Sequence, residues 1–210
     1  MGKVRVRGFA VSVDGFGAGP DQGLEHPLGK GGGELHRWFF PTRTFRAMTG
    51  QEGGTDDPFA RATAEGFGAF ILGRNMFGPA GDDWGGPDWK GWWGDNPPYH
   101  APTFILTHHA RAPIEMEGGT TFHFVTDGIE SALAQAKAAA GDLDVKIGGG
   151  VSTVRQYLLA GAIDELHLAQ SPVLLGRGES LFAGLDLPGL GYRVAEVVPT
   201  ELATHIVLTR

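Results

Sequence analysis

Residues 146–166 read KIGGGVSTVRQYLLAGAIDEL. A short apolar strand runs into three glycines and a helix begins at once. Gly148, Gly149 and Gly150 let a backbone come close to a ligand, and a helix N-terminus offers free N–H groups and the positive end of its dipole. Such a corner suits a pyrophosphate, with the Ser152 or Thr153 hydroxyl able to reach a phosphate oxygen. The stretch is neither a G-x-G-x-x-G fingerprint nor a Walker A loop, because no Gly-Lys-Ser/Thr follows. Standing alone, it reads more readily as a tight strand-to-helix turn with no ligand.

Outward from that corner, strand and helix patterns alternate. Val4, Val6, Phe9, Val11 and Val13 mark an opening strand that ends at the Asp14-Gly15 turn signal. Leu35, Trp38 and Phe39 can share one face of a helix around residues 34–40, which Pro41 stops. Asp57-Pro58 opens a short helix to about Glu65, a capping carboxylate followed by Pro at the first helical position. FGAFIL (67–72), TFILT (103–107), TFHFV (121–125) and VKIG (145–148) read as strands, and IESALAQAKAAA (129–140) as a helix closed by Gly141. Residues 152–160 form another helix, and 165–170, 193–198 and 203–209 complete a strand-rich end. Alternation followed by closely spaced strands predicts one α/β domain over 1–210, a largely parallel sheet with helices on both faces and antiparallel strands at its end.

Composition narrows the function classes. The formal charge of −7 disfavours a nucleic-acid partner, which needs a basic stripe. The one basic run, Lys3, Arg5 and Arg7, reads as a solvated strand face. With no cysteine, disulfides and thiolate chemistry are excluded. No apolar run approaches the ~18 residues of a membrane span, so a cytoplasmic address is the default. The eight histidines include neither an i, i+4 helical pair nor H-E-x-x-H, so no metal site is expected. Glycine is the outlier at 35 residues, concentrated at 15–33 and 78–94. Four of the five tryptophans (Trp84, Trp89, Trp92 and Trp93) fall in the Gly- and Pro-rich segment 78–102, which is either an aromatic wall over a planar ligand or a loop anchored by its own indoles.

SVDG (12–15), LGRNMF (72–77), ILT (105–107), IGGG (147–150) and AGAIDELHLAQSPVLLGRGESLF (160–182) occur in register over essentially the whole chain. In this order they resemble the dihydrofolate reductase family, nearest its branch containing the reductase domain of riboflavin biosynthesis. The resemblance implies a mixed, mostly parallel sheet of about eight strands flanked by helices. It also implies NADPH across the carboxyl ends of the strands, a small heterocyclic substrate and a homodimer. Carried over by residue, Gly148, Gly149, Gly150, Val151, Ser152 and Thr153 face the pyrophosphate. Gly73, Arg74 and Asn75 match phosphate-side positions, and Thr107 and His108 flank the adenine ribose. Ala10 faces the nicotinamide, while Asp14 and Gly15 begin the loop that closes over it, Asp14 being a candidate catalytic carboxylate. Met76 departs from the pattern, which often has Thr there. Glu34 is the carboxylate nearest the family's acid position: a general acid raised by a dry pocket beside Trp38 and Phe39, or merely a first-turn partner of the helix dipole. The implied activity is hydride transfer to a C=N or C=O bond. A nucleotide-binding module without turnover and an aromatic-loop carbohydrate binder are the alternatives.

Overall fold

Alternation of apolar side chains builds one large sheet with a different packing partner on each face. The computed structural model describes residues 2–79, 84, 86 and 88–210. In chain order the strands are β1 (Val4–Val11), β2 (Phe16–Ala18), β3 (Phe67–Gly73), β4 (Pro102–Leu106), β5 (Ile114–Glu115) and β6 (Thr121–Val125). They continue with β7 (Asp144–Gly149), β8 (Glu165–Gln170), β9 (Glu179–Ser180), β10 (Arg193–Pro199) and β11 (Thr204–Thr209). The helices are α1 (Arg43–Met48), α2 (Pro58–Arg61), α3 (Arg74–Phe77), α4 (Ile129–Ala140) and α5 (Val151–Leu159).

The main sheet has nine strands, one more than expected, in the order β10-β11-β8-β1-β7-β3-β4-β6-β5. From β8 to β6 every neighbouring pair is parallel, whereas β11, β10 and β5 pair antiparallel. The extra strand is β5, a two-residue piece that exists only by pairing with β6. β2 and β9 form a separate two-stranded ribbon.

Side-chain alternation assigns the two faces. Val145 and Ile147 of β7 join Val4, Val6, Ala69 and Ile71 beneath α4 and α5. Ala132, Ala136 and Ala140 repeat every four residues on α4, and their small size lets the helix lie close on β3 and β4. The opposite face carries Leu72, Ile105 and Phe122 under α3, and Ala169 under Trp38 and α2. Lys146 points to that second face, where Nζ donates to the Thr63 carbonyl and burial pushes its ammonium down to about 8.

The ends of the chain's local patterns differ from expectation in instructive ways. The basic run at the N-terminus is not a solvated face: Arg5 pairs with Asp144 at 3.0 Å, Arg7 pairs with Glu165, and both side chains are largely covered. Residues 32–36 form a 3-10 turn rather than an α-helix, entered through Gly31 in the left-handed region. Three residues per turn put Gly32, Leu35 and Trp38 together on the inside and leave Glu34, Arg37 and Phe40 outside. The Asp57 cap is as expected, its carboxylate accepting from the N–H groups of Phe59 and Ala60, but α2 stops at Arg61. Among the described residues no helix is long and apolar enough to cross a membrane.

Candidate functional site

The glycine corner sits where β7 and β3 end side by side. Gly149 has φ of +125°, a conformation that side chains rarely adopt, and a Cβ on Gly150 would meet nothing within 4 Å. A Cβ on Gly73, at the end of β3, would overlap the Thr153 hydroxyl oxygen. The bare backbone at Gly73 therefore lets α5 start directly over the neighbouring strand. No side chain caps α5, so the N–H groups of its first turn face outward from Gly150. Met76 packs its sulfur 3.5 Å from the Cβ position of Gly149, filling space beside the corner.

A cleft of about 520 Å³ opens along the carboxyl ends of β1, β7, β3 and β4. Its walls bring together Gly148, Gly149, Gly150, Val151, Ser152 and Thr153 from the corner. Gly73, Arg74 and Asn75 join them from the end of β3, Thr107 and His108 from the end of β4, and Ala10 from β1. Ligands of open α/β sheets collect in this position, outside the carboxyl edge. Arg74 lines the cleft while its guanidinium stacks 4.4 Å above the Trp84 ring and donates to the Pro79 carbonyl. The Thr107 hydroxyl accepts from the His109 N–H at 3.1 Å, shaping the turn after β4.

The other expected residues stand elsewhere. Glu34 is exposed and pairs with Arg37 at 3.2 Å; no dry pocket surrounds it. Trp38 is buried in the second-face cluster and Phe39 packs against it, so neither lines the cleft. Asp14 and Gly15 also lie outside the cleft lining. The Asp14 carboxylate accepts from the Ser12 hydroxyl at 2.5 Å, from Gly176 N at 2.7 Å and from Leu175 N at 3.2 Å. These donors, the Ser12 hydroxyl foremost, hold its pKa below the ordinary carboxylate value. Asp14 thus staples the loop after β1 to the loop after β8 as an ionised acceptor. Residues 80–83, 85 and 87 of the Trp-rich segment lie outside the described residues. Its indoles anchor it to the body: Trp89 Nε1 donates to the Phe77 carbonyl at 2.8 Å and Trp92 Nε1 to the Asn75 carbonyl at 3.2 Å. None of the four tryptophans lines the cleft.

Sequence reading passed over His36, which does line it. His36 is half-buried on the third face of the 3-10 turn, one residue past Leu35, whose carbonyl accepts from the Ser171 hydroxyl at 2.6 Å. No periodic signal in GGELHRW marks it, because His36 falls between the inner and outer faces of the turn. Gln22, Pro27 and Leu28 from the Gly-rich segment form the adjoining wall, and Glu179 is the carboxylate among the described lining residues. Beneath β1, the Gly8 N–H donates to His167 Nδ1 at 3.0 Å, and His167 Nε2 meets His205 Nδ1 at 3.0 Å. That chain pins the bulge that precedes Phe9 and Ala10.

Residues 6–206 match the family described as RibD C-terminal domain. No curated protein matches the chain. Among solved structures, a Shewanella sp. PV-4 protein with a provisional riboflavin-biosynthesis name is similar at 21% identity and TM-score 0.59, covering 100% of this chain and 99% of that one. A dihydrofolate reductase from Enterococcus faecalis, complexed with NADP(H), is similar at 14% identity and TM-score 0.53, covering 99% and 96%. RibD from Acinetobacter baumannii is similar at 16% identity and TM-score 0.57; all of this chain aligns, over 58% of that longer protein. These likenesses carry the fold: a mixed α/β sheet, mostly parallel and flanked by helices.

Proposed function

The chain belongs to the RibD C-terminal domain family, and from that premise we propose that it is an NADPH-dependent reductase acting on a C=N or C=O bond of a small pterin- or aminopyrimidine-like heterocycle. One observation carries the reading. The glycine corner, the end of β3, the turn after β4 and Ala10, separated widely in sequence, line a single cleft at the carboxyl edge. The residues suit a dinucleotide: a Cβ at Gly150 would project into open space, and the uncapped start of α5 presents N–H donors where a pyrophosphate needs them.

Bound NADPH supplies the hydride. Gly149, Gly150 and the first turn of α5 hold the diphosphate, with the Ser152 and Thr153 hydroxyls beside it. Thr107 and His108 flank the adenosine end. Ala10, having only a methyl group, leaves a flat seat for the nicotinamide on β1. Gln22, Pro27, Leu28 and His36 cover the remaining side, orienting the heterocycle and excluding water. With Glu34 at the surface, the accompanying proton comes from water in this reading.

The exposure of Glu34 favours one rival, a nucleotide-binding module without turnover. Calorimetry with NADPH and NADH, followed by absorbance at 340 nm with a panel of dihydropterins and aminopyrimidines, separates the two. NADPH binding with substrate-dependent loss of absorbance supports the reductase; binding without turnover across the panel supports the module.

A further inference from the structure

The cleft has a direction set by the sheet. Strand order runs β8-β1-β7-β3-β4-β6, the glycine corner lies over β7 and β3, and Thr107 and His108 lie beyond β4. His36 is at the other end, because its neighbour Leu35 is tied to Ser171 just past β8. A dinucleotide stretched from Thr107 to Ala10 therefore leaves His36 against whatever sits next to its nicotinamide end.

The imidazole is held in one orientation. Nδ1 lies 3.4 Å from the Gly32 carbonyl, and the ring stacks on Phe40 with centroids 6.2 Å apart and planes 22° from parallel. A carbonyl can only accept, so Nδ1 carries the proton and the neutral ring keeps its lone pair on Nε2. Among the described residues His36 makes its one hydrogen bond through Nδ1, which leaves Nε2 available. Burial lowers the His36 pKa, which keeps the ring uncharged near neutrality.

We propose that His36 Nε2 is the substrate-reading acceptor of this cleft, taking a hydrogen bond from a ring N–H or amino group of a neutral lactam heterocycle. The assignment rests on the reductase reading of the same cleft. Its consequence is a choice of ring charge. A carboxylate accepting at this position would favour a protonated, cationic ring; the His36 imidazole accepts without bringing a charge of its own, and Glu179 of β9 is the lining carboxylate against which a preference for uncharged lactams is set. A site built around one such hydrogen bond also discriminates against analogues lacking the donor.

Calorimetry on the protein saturated with NADP+ tests this with 6-aminouracil and lumazine as neutral lactams and 2,4-diaminopyrimidine as a ring that binds as its cation. The expected result is that the neutral probes bind tighter than the diaminopyrimidine. His36→Phe, which retains the stack on Phe40, weakens them at least tenfold, and His36→Gln, which restores an acceptor oxygen, recovers most of the loss. NADP+ affinity stays the same in all three proteins. In 15N spectra the unprotonated Nε2 resonance of His36 shifts on adding 6-aminouracil, which a purely structural histidine would not show. Equal binding to wild type and His36→Phe, tighter binding of the diaminopyrimidine, or no binding of either lactam overturns the proposal while leaving the cofactor site standing. Absence of NADP+ binding by the wild type overturns the reductase reading, and this assignment with it.

Discussion

Gly73 and Thr153 lie so close that a side chain on the first would take the place of the second's hydroxyl oxygen. The contact joins the end of β3 to the first turn of α5, the two walls between which a diphosphate would lie. Gly73→Ala must displace the Thr153 hydroxyl and crowd the start of α5, an overpacking cost of about 1–3 kcal/mol. Thermal unfolding should report that loss, and NADPH affinity should fall by about tenfold or more, roughly 1.4 kcal/mol.

Gly150 gives the complementary test. Its φ of −76° and ψ of −163° are open to any residue, and a Cβ there meets no protein atom. Gly150→Ala should leave stability within about 0.5 kcal/mol, yet weaken NADPH strongly, because its methyl group stands where a ligand backbone would approach. A variant that binds NADPH as the wild type does would remove the corner from the site.

Glu34→Gln should change little. The carboxylate is exposed, and a surface pair such as that with Arg37 is worth at most about 1 kcal/mol. Steady-state kcat/KM within about twofold of wild type is expected; a hundredfold drop would restore Glu34 as the acid.

Acid should destabilise the protein through its buried histidines. Both His167 and His205 are buried, and burial, reinforced for His167 by His205, Arg7 and Lys146, depresses their pKa values, that of His167 to about 3. The unfolded chain takes up these protons near pH 6.5, whereas the folded one resists to lower pH, furthest at His167. The His167 contribution is therefore fully present above pH 6.5 and is lost as pH falls toward 3, at up to about 1.4 kcal/mol per pH unit, and His205 adds a loss of the same sign. Urea unfolding between pH 7.5 and 4.5 measures the slope, and His205→Phe, which keeps a ring on Phe59, should flatten it.

How much of this was legible in the sequence depends on the range of the forces involved. The bounds of α4 and β6 match the reading because periodic apolar residues and a closing glycine are local signals. β2 and β9 left no such trace: each is two or three residues long and exists only by pairing with the other across the chain. α1 buries no residue and begins at the Thr42 cap, so it has no apolar stripe to find. At the site, the glycine corner and the strand ends could be read because bare backbone and strand termini are visible in sequence. The 17–36 segment could not be placed, since Gly31 in the left-handed region turns an expected α-helix into a tighter coil. That change of pitch left Glu34 on the outer face with Arg37, while His36 reaches the cleft from the face between.

The two halves of the cleft have different ancestries within the chain. Its base is assembled from four separated segments, any of which is also a structural joint of the sheet, whereas Gln22, Pro27, Leu28 and His36 come from one continuous stretch fastened to the body through the β2–β9 ribbon and Ser171. Exchanging residues 19–36 as a cassette among relatives should thus retune which compound is accepted without disturbing nucleotide retention, making this stretch the natural target for redesign or for evolutionary drift in specificity.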